Sequence, residues 1–162
     1  TKVTWDGHGV FGTWGALGNW FPDGWYGSYG INEWVNDTPD GLRLYPPPGS
    51  SEGSIKFWRS TNVRGQATIP LLGDAQWDEG WCKSSDWIPT YPGEVEFIAG
   101  TDMGQFALPR HGAYINMLFM DYTVRKVHIR DDLWYLNWHR LSRAEADKAP
   151  TFFDFPEWMQ KL

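Results

Sequence analysis

Residues 113–141, AYINMLFMDYTVRKVHIRDDLWYLNWHRL, decide the fold. An apolar run carries one acid, Asp121, directly after Met117, Leu118, Phe119 and Met120. Strand alternation puts Ile115, Met117, Phe119, Asp121 and Thr123 on one face. The pattern predicts a long strand over 113–129, a turn at Arg130, Asp131 and Asp132, and a second strand over 133–141. On that second strand Tyr135, Asn137 and His139 share a face, while Trp134, Leu136 and Trp138 take the other. In an even register Asp121 stands beside Asn137 and His139. An isolated carboxylate among apolar groups is costly, and desolvation raises its pKa toward neutrality, where it can work as an acid or base.

Working outward, strands are also predicted over 55–59, 66–72 and 94–99, each bounded by Gly, Pro, Asn or Asp. Glycine density at Gly7, Gly9, Gly12, Gly15 and Gly18 argues against a long helix near the start, leaving short helices over 13–20 and 31–35. Pro46, Pro47, Pro48, Gly49, Ser50 and Ser51 form a stiff-then-flexible loop. Residues 142–149 suit a helical turn with Ser142 as N-cap and Glu145 at the capping-box position. The apolar tail Phe152, Phe153, Phe155 and Trp158 is expected to dock on the core. One domain spanning 1–162 is expected, since 162 residues suffice for a single core.

Composition narrows the function. A net charge of −6 with 14 basic residues disfavours a phosphate-neutralising surface, and Asp131 and Asp132 cancel the cluster of Arg125, Lys126 and Arg130. No nucleic-acid partner is expected. No run approaches a membrane span of about 18 apolar residues, so no membrane partner is expected either. The single cysteine, Cys82, leaves no internal disulfide framework and favours a cytoplasmic location. The 12 Trp residues suit either a core poor in Leu and Ile or the walls of a ligand pocket.

Several short elements together resemble the SnoaL-like proteins of the nuclear transport factor 2 superfamily. They are residues 104–109 (GQFALP), Gly112, the strand holding Met120, Asp121 and Tyr122, and the closing Leu136, Asn137 and Trp138. Near the start, Trp5, Gly7, His8, Gly9, Phe11, Gly12 and Thr13 are similar to that group's W-H-G-P-x-G-T element. The resemblance implies an α+β domain in which a curved antiparallel sheet forms a cone with a few helices over an apolar cavity. Two leading helices of the family would precede Trp5 and are not visible. Leu136 stands where the family has an acid. The implied chemistry is cofactor-free proton transfer on a small apolar or aromatic molecule: cyclisation, isomerisation, dehydration or epoxide opening. Asp121 and His139 would be the catalytic pair, with His139 one position after the family's tryptophan. His8, Met117, Phe119, Tyr135, Asn137 and Trp138 would line the pocket, Tyr135 or Asn137 stabilising a developing enolate oxygen. A homodimer through the sheet is implied as well.

Each candidate has a plainer role beside it. Asp121 suits a bulge or rim, His139 a satisfied structural histidine, His8 a glycine-rich turn, His111 an exposed loop and His128 a strand edge. No HxH or HExxH spacing supports a metal site, and no cofactor is expected. Neither a G-x-S-x-G elbow nor a phosphate-binding glycine loop occurs, and Cys82 has only Lys83 beside it as an activator. The alternative from another class is a non-catalytic module presenting Trp14, Trp20, Trp25 and Trp34 to a carbohydrate ring or an apolar ligand.

Overall fold

The computed structural model describes residues 14–15, 26–35, 55–91, 94 and 102–162. The decisive stretch does fold as a hairpin, but its reversal comes earlier than expected. Strand β6 (Tyr114–Phe119) pairs antiparallel with β7 (Val124–His128), and the chain turns through Met120, Asp121 and Tyr122. Tyr122 N–H donates to the Phe119 carbonyl at 2.9 Å, Phe119 N–H donates to the Thr123 carbonyl at 2.9 Å, and Tyr122 has φ 62°. A three-residue loop closed by a left-handed residue is one of the common hairpin connections. Asp121 favours it, because its carboxylate accepts the Thr123 N–H at 3.1 Å and the Thr123 hydroxyl at 2.7 Å. That local bonding competes with continuation of a strand.

The second predicted strand, over 133–141, is not formed. Leu133–Tyr135 is a 3-10 turn, started where the Asp132 carbonyl accepts Tyr135 N–H at 2.9 Å. Leu133, Trp134 and Trp138 are all buried, a spacing that a turning chain satisfies and a strand does not. Asn137 N–H leaves the segment altogether and donates to the Thr68 carbonyl at 2.9 Å.

The remaining elements assemble around this hairpin. Strands β3 (Tyr29–Asn32), β4 (Pro70–Asp74) and β5 (Glu79–Gly80) complete a five-stranded sheet in the order β5-β3-β4-β6-β7. Every neighbouring pair is antiparallel except β3 with β5, so the sheet is mixed rather than wholly antiparallel. A register shift between Pro70 and Leu72 interrupts the β4–β6 ladder. Separately, β1 (Trp14–Gly15) pairs with β2 (Tyr26–Gly27). Short helices span Met103–Phe106 and Glu157–Gln160, with 3-10 turns at Glu33–Val35, Gln66–Thr68, Ser142–Lys148 and Phe152–Asp154. The class is therefore α+β: a five-stranded sheet with few helices.

Other expectations divide. The strand over 66–72 is part 3-10 turn and part β4; that over 55–59 begins helically at Ile55 and Lys56. The helix over 31–35 reduces to Glu33–Val35, and Trp14–Gly15 is strand within the helix predicted over 13–20. Residues 142–148 do wind, but Ser142 Oγ accepts the His139 N–H at 3.0 Å and no capping box forms there. The tail docks through Phe155 and Met159, while Phe152 and Phe153 stay exposed. His8 and the loop over 46–51 lie outside the described residues.

The inner face of the sheet presents Ile115, Met117, Phe119 and Val127 to a core completed by Trp34, Phe57, Phe106, Trp134, Trp138 and Phe155. The indole N–H groups of Trp34, Trp58, Trp134, Trp138 and Trp158 donate to the carbonyls of Cys82, Trp138, Asp86, Leu133 and Pro89 at 2.9–3.2 Å. These rings fill and cross-link the interior, which removes Trp34 from a solvent-facing platform. Truncating one of the fully buried indoles would cost about 3–5 kcal/mol.

Candidate functional site

Among the described residues, those expected to form a catalytic pocket are not gathered into one. Asp121 sits in the hairpin turn, its carboxylate facing solvent, and the Thr123 hydroxyl and N–H hold its pKa below the usual carboxylate value. The raised pKa expected for an inward-facing acid is thus corrected, because the chain reverses at Asp121 instead of running on through it. Met117, Phe119 and Trp138 are core residues, with the Arg125 guanidinium 3.8 Å above the Phe119 ring. Tyr135 is exposed and its hydroxyl donates to the Pro150 carbonyl at 2.6 Å. Asn137 is half-buried and its side-chain amide donates to the Thr68 hydroxyl.

His139 is buried, with its Nδ1 accepting the Leu141 N–H at 3.2 Å. Its proton therefore belongs on Nε2 in the neutral ring. Nε2 lies 3.3 Å from Glu145 Oε2, at ion-pair distance but without hydrogen-bond alignment. Glu145 Oε1 also meets the buried Lys56 ammonium at 3.5 Å, and the His139 ring stands edge-on to Trp34 at 5.4 Å. This network fastens the 3-10 segment Ser142–Lys148 to the core. His128 is likewise engaged, its Nδ1 accepting the Asp131 N–H at 3.1 Å.

What the fold does assemble, among the described residues, is a partly exposed face on the sheet. Cross-strand partners Glu79, Ile31, Leu72, Leu118 and Val124 form one row across all five strands. Ile31 is 46 % and Val124 68 % exposed, Glu79 is exposed, and Leu72 and Leu118 are half-buried between them. An antiparallel sheet with a solvated face ordinarily puts polar side chains there. Here four of the five positions are apolar, Ile31 and Val124 exposed and Leu72 and Leu118 half-buried. Beside it runs a second row, Tyr29, Asp74, Asn116 and Lys126, of which Tyr29 and Lys126 are exposed.

A buried clamp ties the strands together beside this row. Asp74, only 2 % exposed, accepts from Arg110 Nη1 at 3.1 Å and from the Asn116 N–H at 2.7 Å, with His111 Nε2 at 3.2 Å. Arg110 also donates to the carbonyls of Ser28 at 2.6 Å and Ala75 at 2.8 Å, tying β4 to the chain entering β3. Burial lowers the Arg110 pKa and the Asp74 charge opposes that shift. His111 is exposed, as expected, yet paired. The clamp was not read from the sequence: its members sit 36 and 37 positions apart, and only Arg110-His111 ahead of a strand hinted at it.

The β5 edge is acidic. Glu79 is exposed as a residue, but dehydration of its carboxyl, then the charges of Glu33, Asp78 and Asp102, push its pKa up to about 7. Nearby, burial pushes Asp86 up to about 7, although the Lys83 and Met103 N–H groups bond its Oδ2 at 3.0 and 3.1 Å. Burial likewise pushes Asp102 up to about 6 and raises the pKa of the Cys82 thiol, which disfavours its thiolate. Among the described residues, no group of three or more His, Cys, Asp or Glu could hold a metal ion, and no helix is long and apolar enough to cross a membrane. Among the described residues, open clefts of about 330 Å³ beside Arg130, Tyr135 and Phe152 and about 400 Å³ beside Val35, Trp58 and Leu71 border the surface.

Comparison with protein-family models, with curated proteins and with solved structures finds no match for the chain.

Proposed function

We propose that this chain is a non-catalytic binding module whose working surface is the open face of the sheet. The observation that carries it is the apolar row Ile31, Leu72, Leu118 and Val124, exposed at Ile31 and Val124, half-buried between them, with the Asp74–Arg110 clamp beside it. Rigid support of this kind lets an exposed patch bind without first ordering itself. The proton-transfer reading has no such support, since Asp121 lies in the turn and His139 in the Glu145 network. The cone of the SnoaL-like resemblance would need a hollow lined by Met117, Phe119 and Trp138, and all three are packed in the core.

The test is binding of the apolar fluorophore bis-ANS to native protein at about 1 μM, low enough to keep weak self-contacts apart. The double variant Ile31→Lys/Val124→Lys should keep its Tm close to that of the parent and lose most of the probe fluorescence. Undiminished fluorescence in a folded variant would remove the face from the function.

A further inference from the structure

The geometry points to strand β7 as a docking edge, on which an extended acidic segment of another protein adds as a further antiparallel strand. This rests on the binding-module reading and gives the form of the partner, since the incoming strand prolongs the same face.

The two edges of the sheet differ. β5 is two residues long and carries Glu79 with Asp78 beside it. β7 has five residues, of which Val124, Arg125 and Lys126 are exposed. Backbone alternation fixes which of its groups are open. In an antiparallel pair, residues that exchange hydrogen bonds with the neighbouring strand alternate with residues whose N–H and C=O point away from it. Ile129 N–H donates to the Ala113 carbonyl and Phe119 N–H to the Thr123 carbonyl, both at 2.9 Å, so Thr123, Arg125, Val127 and Ile129 turn their backbone toward β6. Val124, Lys126 and His128 turn theirs outward. His128 bears out this parity: its N–H donates to Asp132 Oδ2 at 3.0 Å and its carbonyl accepts the Asp132 N–H at 3.0 Å. The chain thus caps its own edge at His128 and goes no further. Among the described residues, nothing bonds the N–H and C=O of Val124 or Lys126 on their outer side. A line of open donors and acceptors is the template on which an extended peptide adds.

Charge selects the partner. Lys126 is exposed and pairs with no carboxylate among the described residues. On the inner side of the same strand the Arg125 guanidinium stands over the Phe119 ring. Acids close this basic stretch at both ends, Asp121 in the turn and Asp132 at His128. A segment with one carboxylate opposite Lys126, one opposite Arg125 and an apolar side chain opposite Val124 meets all three, and its apolar residue extends the row that ends at Leu118 and Val124. A basic segment would meet like charge. Lysine on an edge strand ordinarily discourages pairing. An acidic strand turns that guard into a contact, which makes charge the selector.

The probe is a synthetic peptide, acetyl-Thr-Thr-Glu-Glu-Val-Thr-Thr-amide, titrated to about 1 mM into the isotopically labelled chain and followed by amide NMR. In antiparallel register its first glutamate lies opposite Lys126, its second opposite Arg125 and its valine opposite Val124. The expected result is saturable binding in which the Val124 and Lys126 amides shift most and exchange with solvent more slowly. N-methylation of the peptide's first glutamate or of its valine should abolish binding. Methylation of the second glutamate, whose N–H points away from β7, should leave it unchanged. Val124→Pro removes an outward N–H without breaking the β6 ladder and should weaken binding about tenfold. Lys126→Glu should weaken it as well, and a lysine in place of the peptide's first glutamate should restore it. Binding indifferent to every methylation overturns the added strand, since charge attraction alone then accounts for it. No binding at about 1 mM, with bis-ANS fluorescence still dependent on Ile31 and Val124, overturns it and leaves the binding module standing. No binding together with undiminished bis-ANS fluorescence in Ile31→Lys/Val124→Lys sinks both readings.

Discussion

Asp74 illustrates how a buried charge is kept. Its carboxylate has lost nearly all water and accepts from Arg110 and the Asn116 backbone, with His111 at the rim. Such a pair adds little over an apolar replacement, but removing one partner strands the other. Arg110→Met should therefore destabilise the fold by about 3–5 kcal/mol, and Asp74→Leu/Arg110→Met together by clearly less than that. Urea unfolding of the single and double variants measures the difference; equal losses would mean that the clamp is not what holds this face. At this scale the sequence was partly legible. The inward set Ile115, Met117 and Phe119 followed from alternation and is buried. His111 is exposed, as its plainer role had it, and His139 is buried with its Nδ1 accepting the Leu141 N–H. Asp121 was misread because an acid after an apolar run looks stranded, whereas Thr123 two positions on supplies the donors that make it a turn residue.

Among elements, the β6–β7 hairpin depends on a non-glycine residue in left-handed backbone. Tyr122 has φ 62° and a side chain exposed to solvent, so its ring contributes little packing to offset the strain. Tyr122→Gly should stabilise the domain by about 1 kcal/mol, less the entropy that glycine adds to the unfolded chain. A higher midpoint in chemical denaturation at unchanged slope is the expected outcome, and a lower midpoint would show that the tyrosine makes contacts worth more than its strain. The turn was hidden in the sequence because its one turn-favouring residue, Asp121, directly follows the apolar run Met117–Met120 and carries no Gly, Asn or Pro beside it. The segment 133–141 was hidden for the opposite reason. Its alternating pattern fits a strand, yet Trp134 and Trp138 both have to reach one core, and that tertiary demand outweighs local preference. The parallel partner of β3 could not be foreseen at all, since β5 is two residues long.

For the whole molecule, the decisive quantity is proton uptake on the β5 side. Asp86 and Glu79 are pushed up to about 7 and Asp102 to about 6, each with burial as the first cause. Ordinary carboxylates titrate near 4, so between about pH 4 and 7 the folded chain holds protons that the unfolded chain has released. Stability accordingly falls as pH rises through that window and levels off above it. Asp121, Asp131 and Asp154 have lowered values and act in the other sense only as pH falls below the ordinary range. Thermal unfolding should give a higher Tm at pH 5 than at pH 8, and Asp86→Asn should narrow the gap by raising the value at pH 8. A Tm that climbs from pH 5 to pH 8 would mean that these acids are hydrated in solution.

Cys82 is sealed at the foot of this region, its sulfur inaccessible and its carbonyl engaged by the Trp34 indole. With no other thiol in the chain, an alkylating reagent has a single target, and it can strike only when the wall beneath Trp34 parts. The rate of that labelling in native buffer is thus a built-in clock for the interior's breathing, readable by mass without adding any foreign tag.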